Sequence, residues 1–414
     1  MKVLMLTAYF PPEVGSAAHL FADLGCEFVR RGHVVTVMTG YPSYNVKPED
    51  LPEHYRSGRY MEEEYGGIRV MRYRTLGLPR GNLYLRGTDQ VASAVLSALV
   101  FLLKSADRPD IILVYSPPLF LGLAGMIVRW FRRGMVVINV QDLFPQSVID
   151  LGLIRRPVLI KTLRAIESFI YRHADGMTAH SRGNAEYVVR HGANAARTIV
   201  APNVVDTTEI QPGERDNPFR RRYEIPSDEF VVSFAGVLGY SQDLDTVIEA
   251  ARLLLHDTRI KFYIVGDGVE KPRLLSLARG LANVRFLPML QKKEYVELLH
   301  ASDVCLSTLR ASVRTPVVPS KILSIMAAGR PVVTAMALDG DAPALVRETQ
   351  CGLCVEPENP DQLREAICRL AGDPALSASL GANGRRYAVD HLSLDVCVSL
   401  YENLFTSLTN IQKD

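Results

Sequence analysis

The sequence predicts an α/β protein with two doubly wound domains, and three observations support this fold class. The chain has 414 residues, more than one ordinary hydrophobic core uses. Short apolar runs, typical of buried parallel strands, alternate with segments of helical periodicity along most of its length. The alternation is interrupted at the polar segment 207–228, which is rich in Arg, Glu, Asp and Pro and therefore predicts an interdomain linker.

The first alternating series predicts an N-terminal domain over residues 1–205. It opens with an apolar strand at 2–7 and a helix at 17–31, which Gly32 ends before the next strand at 33–38. This strand–helix–strand order is typical of parallel pairing. Further strands are predicted at 111–115, 136–140 and 176–179.

The second series predicts a C-terminal domain over residues 206–385, followed by a C-terminal helix over 386–414. Its strands are predicted at 230–235, 261–265, 284–287, 304–307 and 331–334. Ligands of such sheets bind beyond the carboxyl ends of the strands. We therefore expect the functional residues in the loops that follow these strands, in the cleft between the two domains.

Composition and charge exclude several classes of function. The net charge is +2, but residues 1–205 carry +7 and the remainder carries −5, so the N-terminal half suits contact with anionic lipid. No nucleic-acid-binding motif is present, and Cys351 with Cys354 supplies only half of a typical zinc site, so we expect no metal. The longest apolar run, 91–103, is shorter than the about 20 residues of a membrane span. With a strand at the very start in place of a signal peptide, this predicts a cytoplasmic protein.

The segment 319–333 is the most informative for function. Lys321 opens a short helical pattern that ends at Gly329, and Pro331 and a β-branched strand follow. A cation at a helix N-terminus is unfavourable, because that end carries roughly +0.5 charge. An anion bound at the same place, such as a phosphate, would explain the lysine. The alternative is a solvated surface lysine.

This segment and the two alternating series resemble the signature of family-4 glycosyltransferases. These are retaining nucleotide-sugar enzymes of the GT-B fold, with two facing Rossmann-like domains and a last helix that crosses back to the first domain. The resemblance covers nearly the whole chain. It is closest to the bacterial branch that builds cell-surface polysaccharide and O-antigen, which includes fucosamine and colanic acid transferases.

The resemblance implies that several loops bind the donor diphosphate. Many family members carry Arg and Lys in the loop after the first strand of the second domain, where this chain has Ser241 and Gln242. Because of that departure, we expect the positive charge that binds the diphosphate to come from Lys321, together with Arg314 or Arg310. Either arginine is alternatively a surface residue. Ser16 is also a candidate helix cap. The diphosphate-binding candidates are Gly15, Ser16, Gly236, Gly239, Gln242, Arg314, Ser320 and Lys321.

The nucleoside is expected to lie beside the same helix. Two glutamates that hold the nucleoside end in most family members are replaced here by Ser324 and Pro316. A serine offers a weaker hydrogen bond than a carboxylate does. The base is expected near Pro288, Met289 and Leu290, for which the alternative is a plain loop core.

The transferred sugar and the acceptor are expected at the ends of the N-terminal strands. Asp142 is the catalytic candidate with Lys321, because a carboxylate near the anomeric carbon can stabilise developing positive charge; the alternative is that it caps the helix near Pro145. Glu13, Tyr41 and Tyr44 are further candidates, although loops rich in Pro and Tyr are often only structural. His180 is the last candidate for this site. The alternative is a buried histidine whose hydrogen bonds are made within the protein.

The resemblance implies a metal-independent transferase without a cofactor. The expected donor is a nucleotide diphosphate sugar, with UDP and an N-acetylamino sugar preferred. The expected acceptor is an undecaprenyl-diphosphate saccharide at the inner membrane face. The apolar, Arg-containing segments 119–133 and 151–164 suit peripheral docking, or else are core helices with solvated arginines. A nucleotide-sugar 2-epimerase and a non-catalytic partner of a transferase complex remain as alternatives.

Overall fold

The computed structural model describes residues 1–13, 15–43, 46, 51–55, 58–78, 83–150 and 152–411, with the backbone alone for residues 16, 83, 84, 86 and 411. The chain divides into two compact units. The first consists of Met1–Asn203 together with Leu394–Asp414, and the second of Val204–Ser393.

In the first unit, the described residues form an eight-stranded sheet in the order β3-β4-β2-β1-β5-β6-β7-β8. All neighbours pair in parallel except β3 and β4, which are antiparallel. The strands are β1 (Lys2–Leu6), β2 (Val34–Gly40), β3 (Tyr60–Tyr65), β4 (Ile68–Tyr73), β5 (Ile111–Ser116), β6 (Met135–Val140), β7 (Gly176–Ala179) and β8 (Thr198–Val200).

Helices connect these strands, as parallel pairing requires. They are α1 (Ser16–Arg30), α2 (Leu83–Lys104), α3 (Leu121–Arg132), α4 (Gln146–Asp150), α5 (Pro157–His173) and α6 (Arg182–Arg190). The helix nearest the C-terminus, α15 (Leu394–Ile411), also belongs to this unit. Its Glu402 accepts hydrogen bonds from Arg31 and His33, at the end of α1 and the start of β2.

In the second unit, the described strands form a six-stranded parallel sheet in the order β11-β10-β9-β12-β13-β14. They are β9 (Phe230–Ala235), β10 (Ile260–Val265), β11 (Val284–Leu287), β12 (Val304–Thr308), β13 (Val332–Ala335) and β14 (Gly352–Val355). The helices are α7 (Pro218–Arg222), α8 (Leu244–Leu253), α9 (Lys271–Leu277), α10 (Lys292–Ala301), α11 (Ser320–Ala327), α12 (Asp341–Thr349), α13 (Pro360–Gly372) and α14 (Pro374–His391).

The predicted α/β class with two Rossmann-like sheets is confirmed, and each sheet has its own apolar core. The strands predicted at 176–179, 230–235 and 284–287 have the observed bounds. The return of the last helix to the first unit is also observed.

The segment 207–228 is not a free linker, contrary to the sequence prediction. It belongs to the second unit and contains α7. Arg220 is buried, and it and Arg215 both pair with Asp303 at the start of β12. The polar composition therefore reflects ion pairs made within the unit.

The boundary between the second unit and the C-terminal helix falls after Ser393, not after residue 385 as predicted. Helix α14 continues through that position, and Arg385 donates hydrogen bonds to the carbonyl groups of Thr207, Ile210 and Ala327 in the second unit. The first boundary falls after Asn203, two residues before the predicted one.

Within the described residues, α2 is the one helix that is long and apolar enough to cross a membrane, over Gly87–Lys104. Length and composition alone are weak evidence for a span, because a core helix meets the same criteria. Ala94, Ala98 and Phe101 of α2 are buried in the core of the first unit.

Candidate functional site

Lys321 lies in the first turn of α11, which begins without a side-chain cap. Its Nζ donates a hydrogen bond to Oε1 of Gln242 at 3.0 Å and lies 3.7 Å from the centre of the Phe234 ring. No carboxylate pairs with this ammonium among the described residues. Burial without a counter-charge lowers the pKa of Lys321 to about 7. The geometry thus contradicts the alternative of a solvated surface lysine.

The loop after β9 brings three predicted residues to this lysine. Gly236 has φ +152°, a region that favours glycine, and a Cβ added there would lie 3.1 Å from Nζ of Lys321. Gly239 precedes a short 3₁₀ turn, Tyr240–Gln242, that ends at the lysine's hydrogen-bond partner. Beside the side chains of Gln242 and Phe234, the ammonium therefore meets the bare backbone of Gly236.

A second glycine loop supports the first, and the sequence analysis did not select it. Gly266, directly after β10, has φ +147°, and a Cβ there would lie 1.9 Å from the carbonyl oxygen of Gly236. The N–H of Leu238 donates to Asp267, and the N–H of Gly236 to Val265. The Gly-Asp-Gly sequence after a strand was the available signal.

The two candidate arginines differ. Arg310 donates to Oδ2 of Asp245 at 2.6 Å and to the carbonyl of Tyr240 at 2.7 Å, so it fixes the loop after β9. Arg314 is exposed, and its contact is a long one of 3.9 Å to Asp339.

The predicted nucleoside residues lie in two places in the second unit. Ser324 is one turn after Ser320 and Lys321 on α11 and is half-buried. Pro288 and Met289 are exposed directly after β11, whereas Leu290 packs against a core cluster. Pro288 and Met289 are thus accessible, and Leu290 is partly structural.

In the first unit, Asp142 follows the end of β6 by two residues. The residue is exposed, yet burial of its carboxyl raises the pKa, against the lowering effects of the Leu143 N–H and the Ser147 hydroxyl. These contacts differ from a regular helix cap, which would accept from backbone N–H groups inside the helix. Asp142 is therefore available as a carboxylate at a strand end.

Glu13 is held by the protein itself. It is buried, and its two carboxylate oxygens accept hydrogen bonds from the backbone N–H groups of Phe10 and Ser43, at 3.2 and 2.8 Å. It ties the loop after β1 to the loop after β2. The structure thus gives Glu13 a structural contact that the sequence prediction as a sugar ligand did not include.

Tyr41 lines a pocket at the carboxyl ends of β1, β2, β4 and β5, together with Tyr9, Asp89 and Gln90. Burial raises the pKa of Tyr41. Oδ1 of Asp89 is buried and has no hydrogen-bond partner within the part of the chain that the structure describes. Sequence reasoning missed Asp89, since it lies on an apolar helix with no local motif.

The remaining candidates in the first unit are less informative. Helix α1 begins at Ser16 with Gly15 as its N-cap residue and no side-chain cap, so the predicted cap by Ser16 is wrong: Ser16 is already inside the helix. His180 is buried beside Asn184, with 3.1 Å between Nε2 and Nδ2, which matches the stated alternative. Tyr44 lies outside the described residues.

No group of three or more His, Cys, Asp or Glu side chains able to hold a metal ion occurs in the described ranges. The six cysteines are free. The chemistry that these loops offer is therefore binding of an anion by Lys321 and charge stabilisation by a carboxylate.

Comparison with known sequences adds family information to this geometry. The model of the Glycosyl transferase 4-like domain matches residues 15–204, and that of Glycosyl transferases group 1 matches residues 229–373. The WcaI protein of Escherichia coli (strain K12), named for glycosyl transfer in colanic acid biosynthesis, is 27% identical over 377 residues, covering 89% of this chain and 91% of WcaI. WbjE of Pseudomonas aeruginosa, named as a glycosyltransferase, is 28% identical over 339 residues, covering 75% of this chain and 83% of WbjE.

Among solved structures, Anabaena Alr3699/HepE in complex with UDP has the same fold. It superposes with a TM-score of 0.72 at 18% identity, over 98% of this chain and 100% of that one. At this level of identity the similarity establishes the fold.

Proposed function

Because this chain belongs to the family-4 glycosyltransferases and has their GT-B fold, we propose that it is a retaining enzyme. In this proposal it moves a sugar from a UDP-sugar to a hydroxyl of a saccharide or lipid-linked acceptor. Similarity to WcaI and WbjE supports a role in surface polysaccharide biosynthesis. The UDP complex of HepE supports the nucleotide, and the resemblance to fucosamine transferases supports an N-acetylamino sugar.

The observation that carries the proposal is the unpaired ammonium of Lys321. A partly buried cation without a counter-charge is destabilised, and a diphosphate would supply the missing negative charge. As the bond to the sugar breaks, further negative charge develops on the leaving diphosphate, and a preorganised cation stabilises it. The start of α11 and the backbone of Gly236 and Gly239 would bind the same group. The donor is proposed to bind without a divalent metal or cofactor.

In the first unit, Asp142 is proposed to stabilise positive charge on the sugar ring or to orient a hydroxyl. The pocket that contains Tyr41 and Asp89 is proposed to bind the acceptor saccharide, because aromatic faces and a free carboxylate oxygen are suited to a sugar ring and its hydroxyl groups. An undecaprenyl-diphosphate saccharide fits the polysaccharide role and implies peripheral contact with the inner face of the membrane.

Donor binding tests the proposal directly. A calorimetric panel of UDP-, GDP-, ADP- and dTDP-sugars, run in EDTA, should show selective binding of a UDP-sugar by the wild-type protein. Lys321→Ala should lower both donor affinity and turnover, the latter by about 10²–10³, as loss of one oxyanion-type contact does. Lys293→Ala, an exposed lysine on α10, is the matched control and should bind normally. Equal affinity of the two variants would remove Lys321 from the site, and no binding of any nucleotide sugar would refute the function.

A further inference from the structure

Helix α2 carries an exposed apolar stripe. Val91, Val95, Leu99 and Leu103 are all exposed, and Leu103 is 79% exposed. Their four-residue spacing places them on one face of the helix. Ala94, Ala98 and Phe101, on a neighbouring part of the helix surface, are buried in the core, so the unit covers the stripe only in part.

The C-terminal end of α3 lies next to the C-terminal end of α2 and exposes two aromatic side chains. Trp130 and Phe131 are 84% and 66% exposed. Nη2 of the adjacent Arg132 donates to the carbonyl oxygens of Leu102 and Ser105, each at 2.8 Å, which joins the ends of α3 and α2. We call Val95, Leu99, Leu103, Trp130 and Phe131 the α2–α3 apolar surface.

The charged groups that flank this surface are unbalanced in sign. Lys104, Arg108 and Arg133 are exposed, and none of the three pairs with a carboxylate in the described part of the chain. The nearby carboxylates of Asp107 and Asp175 already pair with Arg69 and Arg129. Asp110 is a further exposed carboxylate nearby and accepts the backbone N–H of Lys2. The surface therefore combines exposed apolar side chains with an excess of positive charge.

We propose that the α2–α3 apolar surface docks on an anionic bilayer, with Leu103, Trp130 and Phe131 in the interface. Large exposed apolar patches mark interaction sites. Trp favours the membrane–water interface, where its ring and its N–H are both accommodated. Each cation near an anionic leaflet adds about 1 kcal/mol of attraction. The contact is peripheral, because another part of the α2 surface packs against the core of the first unit.

A second copy of the chain fits the surface less well. A two-fold interface brings the same patch of both subunits together, so the excess positive charge of Lys104, Arg108 and Arg133 would be doubled at the contact. Anionic headgroups supply that charge in excess. The sign of the flanking residues therefore favours lipid over self-association.

Fluorescence of the intact protein tests the docking, since Trp130 is the only tryptophan of the chain. Vesicles of phosphatidylglycerol and phosphatidylcholine should shift its emission to the blue, and nitroxide-labelled lipids should quench it. Vesicles of phosphatidylcholine alone should act at least tenfold more weakly, and added salt should weaken the anionic binding. Unchanged emission with anionic vesicles at low salt would overturn the proposal.

Variants that keep the reporter localise the contact. Leu103→Gln with Phe131→Gln should lower vesicle partitioning at least tenfold, and Lys104→Gln with Arg133→Gln should remove most of its salt dependence. Val34→Gln, an exposed residue at the start of β2, is the control and should partition as the wild type does. Normal partitioning of the Leu103 and Phe131 variant would overturn the assignment. If the wild type forms a dimer and does not bind vesicles, and if this variant is monomeric, the surface serves self-association.

These measurements use neither donor nor acceptor. The protein can therefore bind UDP-sugar without binding vesicles, or bind vesicles without binding UDP-sugar. The docking surface and the proposed enzymatic function are refuted by different results.

Discussion

Glu13 in the first unit and Lys321 in the second are both charged residues in loops near strand ends, and their surroundings are opposite. The carboxylate of Glu13 accepts two backbone N–H groups. The ammonium of Lys321 has an amide oxygen and an aromatic ring but no anion. The protein thus satisfies the charge of Glu13 internally and leaves that of Lys321 without a counter-charge in the described part of the chain.

The comparison separates structural charges from ligand-binding charges. Burial of a charge is costly unless it is paired, so a compensated charge suits a structural role, and we expect an uncompensated charge to be paired by a ligand. We expect Asp142 to belong with Lys321, because no cation pairs with its carboxylate in the described part of the chain.

Three predictions test this division between structural and ligand-binding charges. Replacement of Asp142 should give the largest effect. Asp142→Asn keeps the shape and removes the charge, so it should lower kcat about 100-fold or more, within the range for acid–base groups, and leave UDP-sugar affinity unchanged. Steady-state kinetics and calorimetry measure the two separately. If this variant keeps full turnover, Asp142 has a structural role, as Glu13 does.

The pH dependence of donor binding should give the next largest effect. With a pKa of about 7 in the free protein, Lys321 loses its proton as the pH rises above 7, and binding of a diphosphate must then restore it. Affinity for a UDP-sugar should therefore fall about tenfold per pH unit above 7, or about 1.4 kcal/mol, until the pH reaches the pKa of the complex.

Calorimetry at pH 8 in buffers of different ionisation enthalpy should show uptake of nearly one proton per UDP-sugar bound. Lys321→Arg provides the control, since a guanidinium stays charged over this range and should abolish the uptake. Binding by the wild type without proton uptake would contradict the assignment of Lys321 as the anion partner.

The fold could be predicted from the sequence where strands are buried on both faces. The strands at 176–179 and 230–235 are continuous runs of apolar or small residues, a pattern set by the parallel sheet itself. The hairpin of β3 and β4 was missed, because Glu62, Glu63 and Glu64 make β3 polar, as is common for an edge strand. Segment 207–228 was misassigned because composition does not show that Arg220 is buried against Asp303.

The site could be predicted only in part, for a similar reason. Lys321 was identified from its place at the start of a helix, and Gly236 and Gln242 with the help of the family resemblance. The structure brings the three together. The contact between Gly266 and Gly236 joins two strands far apart in the sequence, and the orphaned oxygen of Asp89 depends on tertiary packing. Nothing local distinguishes Glu13 from a ligand residue, since its partners lie in two loops.

Glu13→Gln should give the smallest effect on function, and it tests the structural side of the comparison. The amide keeps one oxygen acceptor but loses the charge and the second acceptor, so one backbone N–H remains buried without a partner. This should destabilise the first unit by about 1–3 kcal/mol, seen as a lower urea midpoint, with UDP-sugar affinity unchanged. Glu64→Gln, an exposed residue of β3, should not shift the midpoint. If Glu13→Gln instead unfolds like the wild type and raises the KM for the acceptor, Glu13 contacts the acceptor, and hydrogen bonds to backbone N–H groups do not exclude a ligand role.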